Sequence, residues 1–142
     1  MRSVSQIIER KGTQVVSVSR QAPVLEAIRM MAEHHIGAVL VMEEGQLIGI
    51  ASERDYARKV ILQGRSSHDT PVAVIMSSPV VCVGPHDSVA ECMSIMTEKH
   101  IRHLPVIEGE RVVGVISIGD LVKETIEEQK QEISLLQQYI AG

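Results

Sequence analysis

The sequence predicts an α/β fold in which one β-α-β-β-α unit is used twice and a helix closes the chain. Two observations carry this, and a third says what fills the core. Shifted by 65 positions, Val16–Lys59 falls on Val81–Glu124 without a gap, and thirteen of the 44 pairs are identical. The identities include Glu26/Glu91, Met31/Met96, His35/His100, Ile36/Ile101, Gly49/Gly114, Ser52/Ser117 and Asp55/Asp120. Within each copy, short β-branched runs alternate with apolar residues at helical spacing. Hydrophobic residues make up 44% of the 142 positions but aromatics only 1%, so Val, Ile, Leu, Ala and Met must build the core.

Each copy opens with a strand, Val15–Val18 or Val80–Val83. A helix follows over Val24–His35 or Val89–His100, with Val24, Ile28 and Met31, or Val89, Met93 and Met96, on its apolar face. Asp87 or Ser88 can cap the second of these helices with Glu91 closing a capping box, and Pro23 suits the first turn of the other. Next come the strands Ala38–Met42 and Leu47–Ala51, matched by Leu104–Ile107 and Val112–Ile116, each pair joined by a short polar turn. These four are apolar on both faces, which predicts cover on both sides. A second helix starts after Ser52 or Ser117. A shorter segment recurs at an offset of 68, where Val4, Ile7 and Ile8 resemble Val72, Ile75 and Met76.

The copies are drawn as residues 1–62 and 72–125, with a polar linker at 63–71 and a helical extension at 126–142. In that last stretch Val122, Ile126, Gln129, Ile133, Leu136 and Ile140 are spaced 4-3-4-3-4. Such a seam either packs back on its own module or pairs with another helix. Glu124, Glu127, Glu128, Lys130 and Glu132 are expected to face water.

Several classes of function are disfavoured. Apolar runs of about six residues fall far short of the roughly 20 that span a bilayer. The start, MRSVSQIIERK, lacks a secretory pattern, and Cys82 and Cys92 are too few for a disulfide scaffold, so a cytoplasmic location is expected. A net charge of −4 argues against general affinity for nucleic acid or anionic membrane. The six histidines show no zinc-like spacing with other ligands. No nucleophile elbow, Walker loop or dinucleotide fingerprint is present, so an enzyme is not expected.

The sharpest motif is Gly49-Ile-Ala-Ser52-Glu-Arg-Asp55, repeated as Gly114-Val-Ile-Ser117-Ile-Gly-Asp120. At a strand end that opens a helix, Ser and Asp form a capping box. The same helix start favours phosphate, and a carboxylate one turn in can accept from a ribose diol. With Val72-Ala-Val-Ile-Met76 and His100-Ile-Arg-His-Leu-Pro-Val106, these motifs make the chain resemble the CBS domain family, as a stand-alone CBS pair or Bateman module.

The resemblance implies two βαββα units about a pseudo-twofold axis, with two clefts that bind adenosine nucleotides: AMP, ADP, ATP, NAD or S-adenosylmethionine. It assigns the ribose hydroxyls to Asp120 and Asp55, and ribose or phosphate contacts to Ser117 and Ser52. Gly37 and Ala38, with His103 and Leu104, would line the base or phosphate region through backbone groups. Thr13–Val15 and Ser78–Val80 would read the adenine edge. Arg102 and His103 would meet phosphate, and Arg54, Arg58, Lys59 and Arg65 form a basic cluster beside the first motif. Because Gly37-Ala38 stands where Arg102-His103 stands, and Arg54 replaces Gly119, the two clefts are expected to differ. The implied role is regulatory: nucleotide sensing by a homodimer that signals to an effector protein in trans. The alternative is a structural or protein-interaction module whose clefts bind no nucleotide.

Overall fold

The computed structural model describes residues 2–141, which divide into two compact units: residues 15–80, and residues 2–14 with 81–141. The mixed α/β architecture with two repeats and a C-terminal helix is as the sequence predicts. The compact units, however, are not the sequence repeats.

In the unit of residues 15–80, β1 (Ser17–Val18), α2 (Val24–His34), β2 (Ala38–Glu43) and β3 (Gln46–Ser52) follow in order, with α1 (Val4–Lys11) lying in the other unit. β1 runs parallel to β2 and β2 antiparallel to β3. Ala38, Val39, Leu40 and Val41 are buried in succession, so both faces of β2 are covered, as expected. After β3 a short α3 (Glu53–Tyr56) passes into a π-helical turn, Ala57–Ile61. The core joins Val24, Ala27 and Met31 of α2 to Val39, Val41, Ala51 and Val60. It is completed by Val72 and Ile75 of α4 (Val72–Ile75), which opens the second sequence repeat.

Pro23 sits at the N-cap of α2, one residue before the first turn expected for it, and has no side-chain oxygen to cap with. The linker serves instead: Val24 N–H donates to the Thr70 carbonyl at 2.8 Å and Leu25 N–H to the Ser67 carbonyl at 3.0 Å.

The other unit contains α1 (Val4–Lys11), α5 (Val89–Lys99), β4 (His103–Glu108), β5 (Arg111–Ser117) and α6 (Ile118–Ala141). Val4 and Ile7 of α1 pack with Val89, Cys92, Met96, Leu104, Val106, Ile116 and Leu121. Thus α1, which precedes the first repeat in sequence, belongs to the core of the second, and α4 belongs to the core of the first. Gly114 lets this happen, because a Cβ there would lie 2.5 Å from Ile8 Cδ1. Its repeat mate Gly49 does the same for Met76, whose sulfur, Cγ and Cβ crowd the position. Ile8 and Met76 are themselves equivalent in the offset-68 repeat.

Two local expectations are corrected, the strand at 80–83 and a water-facing Glu124, and two open choices are resolved. Residues 80–83 do not form a strand; only the Val83–Val106 bridge remains, the equivalent of Val18 beside Val41. In the first copy Leu40 N–H donates to the Val16 carbonyl at 3.1 Å. Its counterpart is Pro105, which has no N–H to give, so the ladder stops at one rung. Ser88 caps α5 by accepting from Glu91 N–H at 3.0 Å, while Asp87 instead closes the preceding turn on Gly84 N–H at 2.8 Å. Glu124 does not face water: it is 1% exposed and ion-paired with Arg2 at 2.7 Å and with Arg10. Lastly, the seam on α6 does not fold back on its module, since Ile126, Ile133, Leu136 and Ile140 are all exposed.

Candidate functional site

Each repeat ends its last strand in the same arrangement. Ser52 lies opposite Ala38 across the β2–β3 ladder, and Ser117 lies opposite His103 across β4–β5. At that point the chain turns into a helix, and the helix start is bonded to the strand beside it. Glu53 N–H donates to the Gly37 carbonyl at 3.0 Å, and Ile118 N–H to the Arg102 carbonyl at 2.9 Å. Gly37 and Arg102 thereby act through their backbones in both copies.

The Ser and Asp side chains complete the start. Ser52 N–H donates to Asp55 Oδ2 at 2.9 Å, and Asp55 N–H donates back to Ser52 Oγ at 3.2 Å. In the second copy the distances are 2.8 Å for Ser117 N–H to Asp120 Oδ2 and 3.2 Å for Asp120 N–H to Ser117 Oγ. The capping box is therefore real in both repeats. With the Glu53 or Ile118 amide bonded to the neighbouring carbonyl, the box's two bonds satisfy three of the four amides that a helix start leaves open, so anion binding there falls to side chains more than to the helix terminus.

The cations differ. Lys11 Nζ donates to Asp120 Oδ2 at 2.7 Å and to the Val115 carbonyl at 2.8 Å, reaching from the end of α1. Beside Asp55 the cation is Lys59, 3.5 Å from Oδ1 and donating to the Ile75 carbonyl at 3.0 Å. Burial alone would raise the Asp120 carboxyl, but the hydrogen bonds from Lys11 and the Ser117 amide outweigh it and hold the group below the usual carboxylate range. Burial pushes the His103 imidazole down, and Lys11 pushes it the same way against a weaker pull from Asp120. His103 is thus a neutral group, acceptor on one nitrogen and donor on the other, beside a charged Lys–Asp pair.

The remaining candidate residues take varied positions. Ala38 and Leu104 are buried in β2 and β4. Thr13, Ser78 and the Arg102 side chain are exposed, while Val15, Val80 and Arg54 are half-buried. A surface groove of the 15–80 unit, lined by Arg20, His68 and Asp69 among others, contains none of them. Among the described residues no cluster of His, Cys, Asp and Glu could hold a metal ion. Neither cysteine is in a disulfide, and burial pushes their pKa values up, Cys92 to about 11 with help from Asp87 and Glu91.

One family model matches the chain at both repeats. This model, the CBS domain, fits residues 4–61 and again residues 72–127. The chain belongs to the CBS domain family. A Burkholderia ambifaria protein with CBS domains, described as a candidate signal-transduction protein, is 48% identical with a TM-score of 0.86, over 89% of this chain and 96% of that one. CBSX3, a mitochondrial CBS domain-containing protein of Arabidopsis thaliana, is 41% identical over 124 residues, 84% of this chain. The match spans 60% of CBSX3, less than two thirds of its length. The CBS pair of protein MJ0100, solved with 5′-methylthioadenosine and S-adenosyl-L-methionine, shares the fold at 22% identity, with a TM-score of 0.79 over 90% of this chain and 98% of that one. CBS pairs of this kind are regulatory modules, and among the described residues no helix is long and apolar enough to cross a membrane.

Sequence reasoning about this CBS pair missed the two lysines as partners of the motif aspartates. Asp55 and Lys59 stand at i and i+4, a legible helix pair. Lys11 is 109 positions from Asp120, and only the docking of α1 on β5 brings them together.

Proposed function

We propose that this CBS pair senses adenosine nucleotides at its two Ser–Asp motifs and passes the signal to a partner protein in trans. The observation that carries the reading is the second-repeat cluster: an ionised Asp120 fixed by the Ser117 amide, with the Lys11 ammonium 2.7 Å away and neutral His103 alongside. A carboxylate held in one orientation is an acceptor for a ribose diol. An ammonium next to it, with Arg102 on the adjacent strand start, supplies charge for phosphate. The ligand complex of MJ0100 supports adenosine as the chemical class. Thr13, Val15, Ser78 and Val80 are assigned to the adenine, Ser52 to ribose or phosphate beside Asp55, the backbones of Gly37, Ala38 and Leu104 to the base or phosphate region, and Arg54 to the charge near phosphate. A cytoplasmic homodimer that binds rather than transforms its ligand fits this reading.

The interaction-module alternative draws on one observation, that both aspartates are already satisfied as helix caps. Thermal unfolding against AMP, ADP, ATP, NAD and S-adenosylmethionine separates the two. A ligand at 100 times its Kd adds about 2.7 kcal/mol to the native state. The sensor reading expects a raised midpoint with at least one nucleotide, reduced in Asp120→Ala or Asp55→Ala when each variant is compared with its own ligand-free midpoint. No rise with any nucleotide would establish the interaction module instead.

A further inference from the structure

The first part of the C-terminal helix has two faces, of which the folded unit covers one, and from Gln131 on the helix is exposed on every side, Leu135 and Tyr139 included. Leu121 is fully buried in the core, Glu124 is held by Arg2 and Arg10, and Gln131 accepts from Arg2. Written as heptads, Leu121 falls at c, and Glu124 and Gln131 at f. The positions a and d lie on the opposite side of the helix. They are Ile126, Ile133 and Ile140 at a, with Val122, Gln129 and Leu136 at d. Exposure along this stripe rises from 42% at Val122 through 55% at Ile133 to 82% at Ile140.

We propose that this stripe pairs with the same stripe of a second copy, as a parallel, in-register, two-stranded coil over residues 122–140. A single apolar seam on one continuous helix is its own complement about a twofold axis. Ile at every a position, with Leu at a d position, is the pattern of two-stranded parallel coils, and a lone polar Gln129 at d fixes the register. The flanking charges choose the direction. In parallel register Glu132 at g meets Gln137 of the second copy, and Thr125 meets Lys130, with no like charges opposed. An antiparallel pair, centred so that Ile126 meets Leu136, would bring Lys130 beside its own copy and Glu132 beside its own copy. The shortness of the seam is offset by its anchorage: the helix is already nucleated where Leu121, Glu124 and Thr125 are held in the folded unit.

The test uses the full chain. Light scattering is expected to give twice the 15.6 kDa chain mass, and the Ile126→Glu/Ile133→Glu variant, altered only at exposed positions, is expected to run as a folded monomer. Mild oxidation of Gln129→Cys is expected to give a cross-linked dimer, whereas Glu127→Cys, at b, and the unaltered chain with its native thiols give none. A monomeric wild type, a dimer that survives in the double variant, or a Gln129→Cys chain that fails to cross-link would each overturn the proposal. A helix of another protein on the stripe would show as the first of these. Nucleotide-dependent unfolding of the double variant reports separately on the sensor reading.

Discussion

Gly49→Ala tests the crossing of segments between repeats, because it places a methyl where the second repeat's opening segment rests on β3. The new Cβ meets the Met76 sulfur, with Met76 Cγ at 2.9 Å and Cβ at 3.2 Å. Unstrained carbon contacts lie at about 3.5–4.0 Å, so the conflict runs down the side chain to its root. A rotamer change moves the sulfur and Cγ but leaves Cβ in place. The backbone cannot lift freely, because Ser77 and Ile50 exchange hydrogen bonds at 2.8 and 3.2 Å, and Lys59 holds the Ile75 carbonyl. Overpacking of this kind costs about 1–3 kcal/mol, or a fall in midpoint of about 3–10 °C.

Gly114→Ala is the internal control. There the close contact is the terminal Cδ1 of Ile8 at 2.5 Å, while Cγ1 at 3.7 Å and the Gly12 carbonyl at 3.8 Å are at ordinary distance. One methyl must turn away, at a cost of about 1 kcal/mol or less. Thermal and urea unfolding of both variants give the comparison. Met76→Ala in the Gly49→Ala background is expected to cost clearly less than the sum of the single changes. Equal losses at the two glycines, or strict additivity with Met76, would refute the reasoning.

The ion triad around buried Glu124 is a second test: Glu124→Ala takes the shared carboxylate from Arg2 and Arg10, 17% and 42% exposed, and because both guanidiniums reach water the expected loss in urea unfolding is about 1.5–3 kcal/mol. Changing Arg2 and Glu124 together should cost less than the two single losses combined. His35 occupies a left-handed cap at φ 55° and is exposed; His35→Gly is expected to add about 1 kcal/mol, and a loss would show that the ring earns its place by contact. Because His103 titrates lower in the fold than in the unfolded chain, the unfolded chain takes up the proton first, and stability falls as pH drops below about 6.5. Asp120, also lowered, adds a second fall below about 3.9, and His103→Gln should remove the first but not the second. Cys92 shifts the other way: the fold keeps its thiol proton until about 11 while the unfolded chain loses it near 9.0, so stability falls through that window, and Cys92→Ala should flatten it.

Much of this was legible in the sequence because the repeat makes each element appear twice. The helices at 24 and 89, the four long strands and the Ser–Asp boxes were read from periodicity and capping chemistry, which act over a few residues. What escaped acts across the chain. Glu124 looked like one more polar residue on an amphipathic helix, and nothing near it in sequence announces Arg2 and Arg10. The missing strand at 80–83 was in principle readable, since Pro105 stands where Leu40 donates, but only once the partner of that donor is known. The left-handed caps at His35 and His100 were read as helix ends, not as positive φ, since glycine is the usual signal for that geometry.

The two halves share a capping box but are wired differently, and the repeat shows where. Lys59 and Glu124 occupy equivalent positions, one cation and one anion. In the first-repeat unit the helix itself carries the cation to Asp55, and α4 offers only a carbonyl. In the second, the helix carries an anion, and the N-terminal segment brings three cations: Arg2, just before α1, and Arg10 within it to Glu124, and Lys11 to Asp120. A ligand that drew Lys11 away from Asp120 would therefore act on α1, whose Arg10, with Arg2 just before the helix, holds α6. The same event at Asp55 would act within a single helix turn. If nucleotide binding is to move the C-terminal helix, the Asp120 site is the one with a mechanical route to it, and Arg10→Ala should weaken that coupling while leaving the Asp55 site as it was.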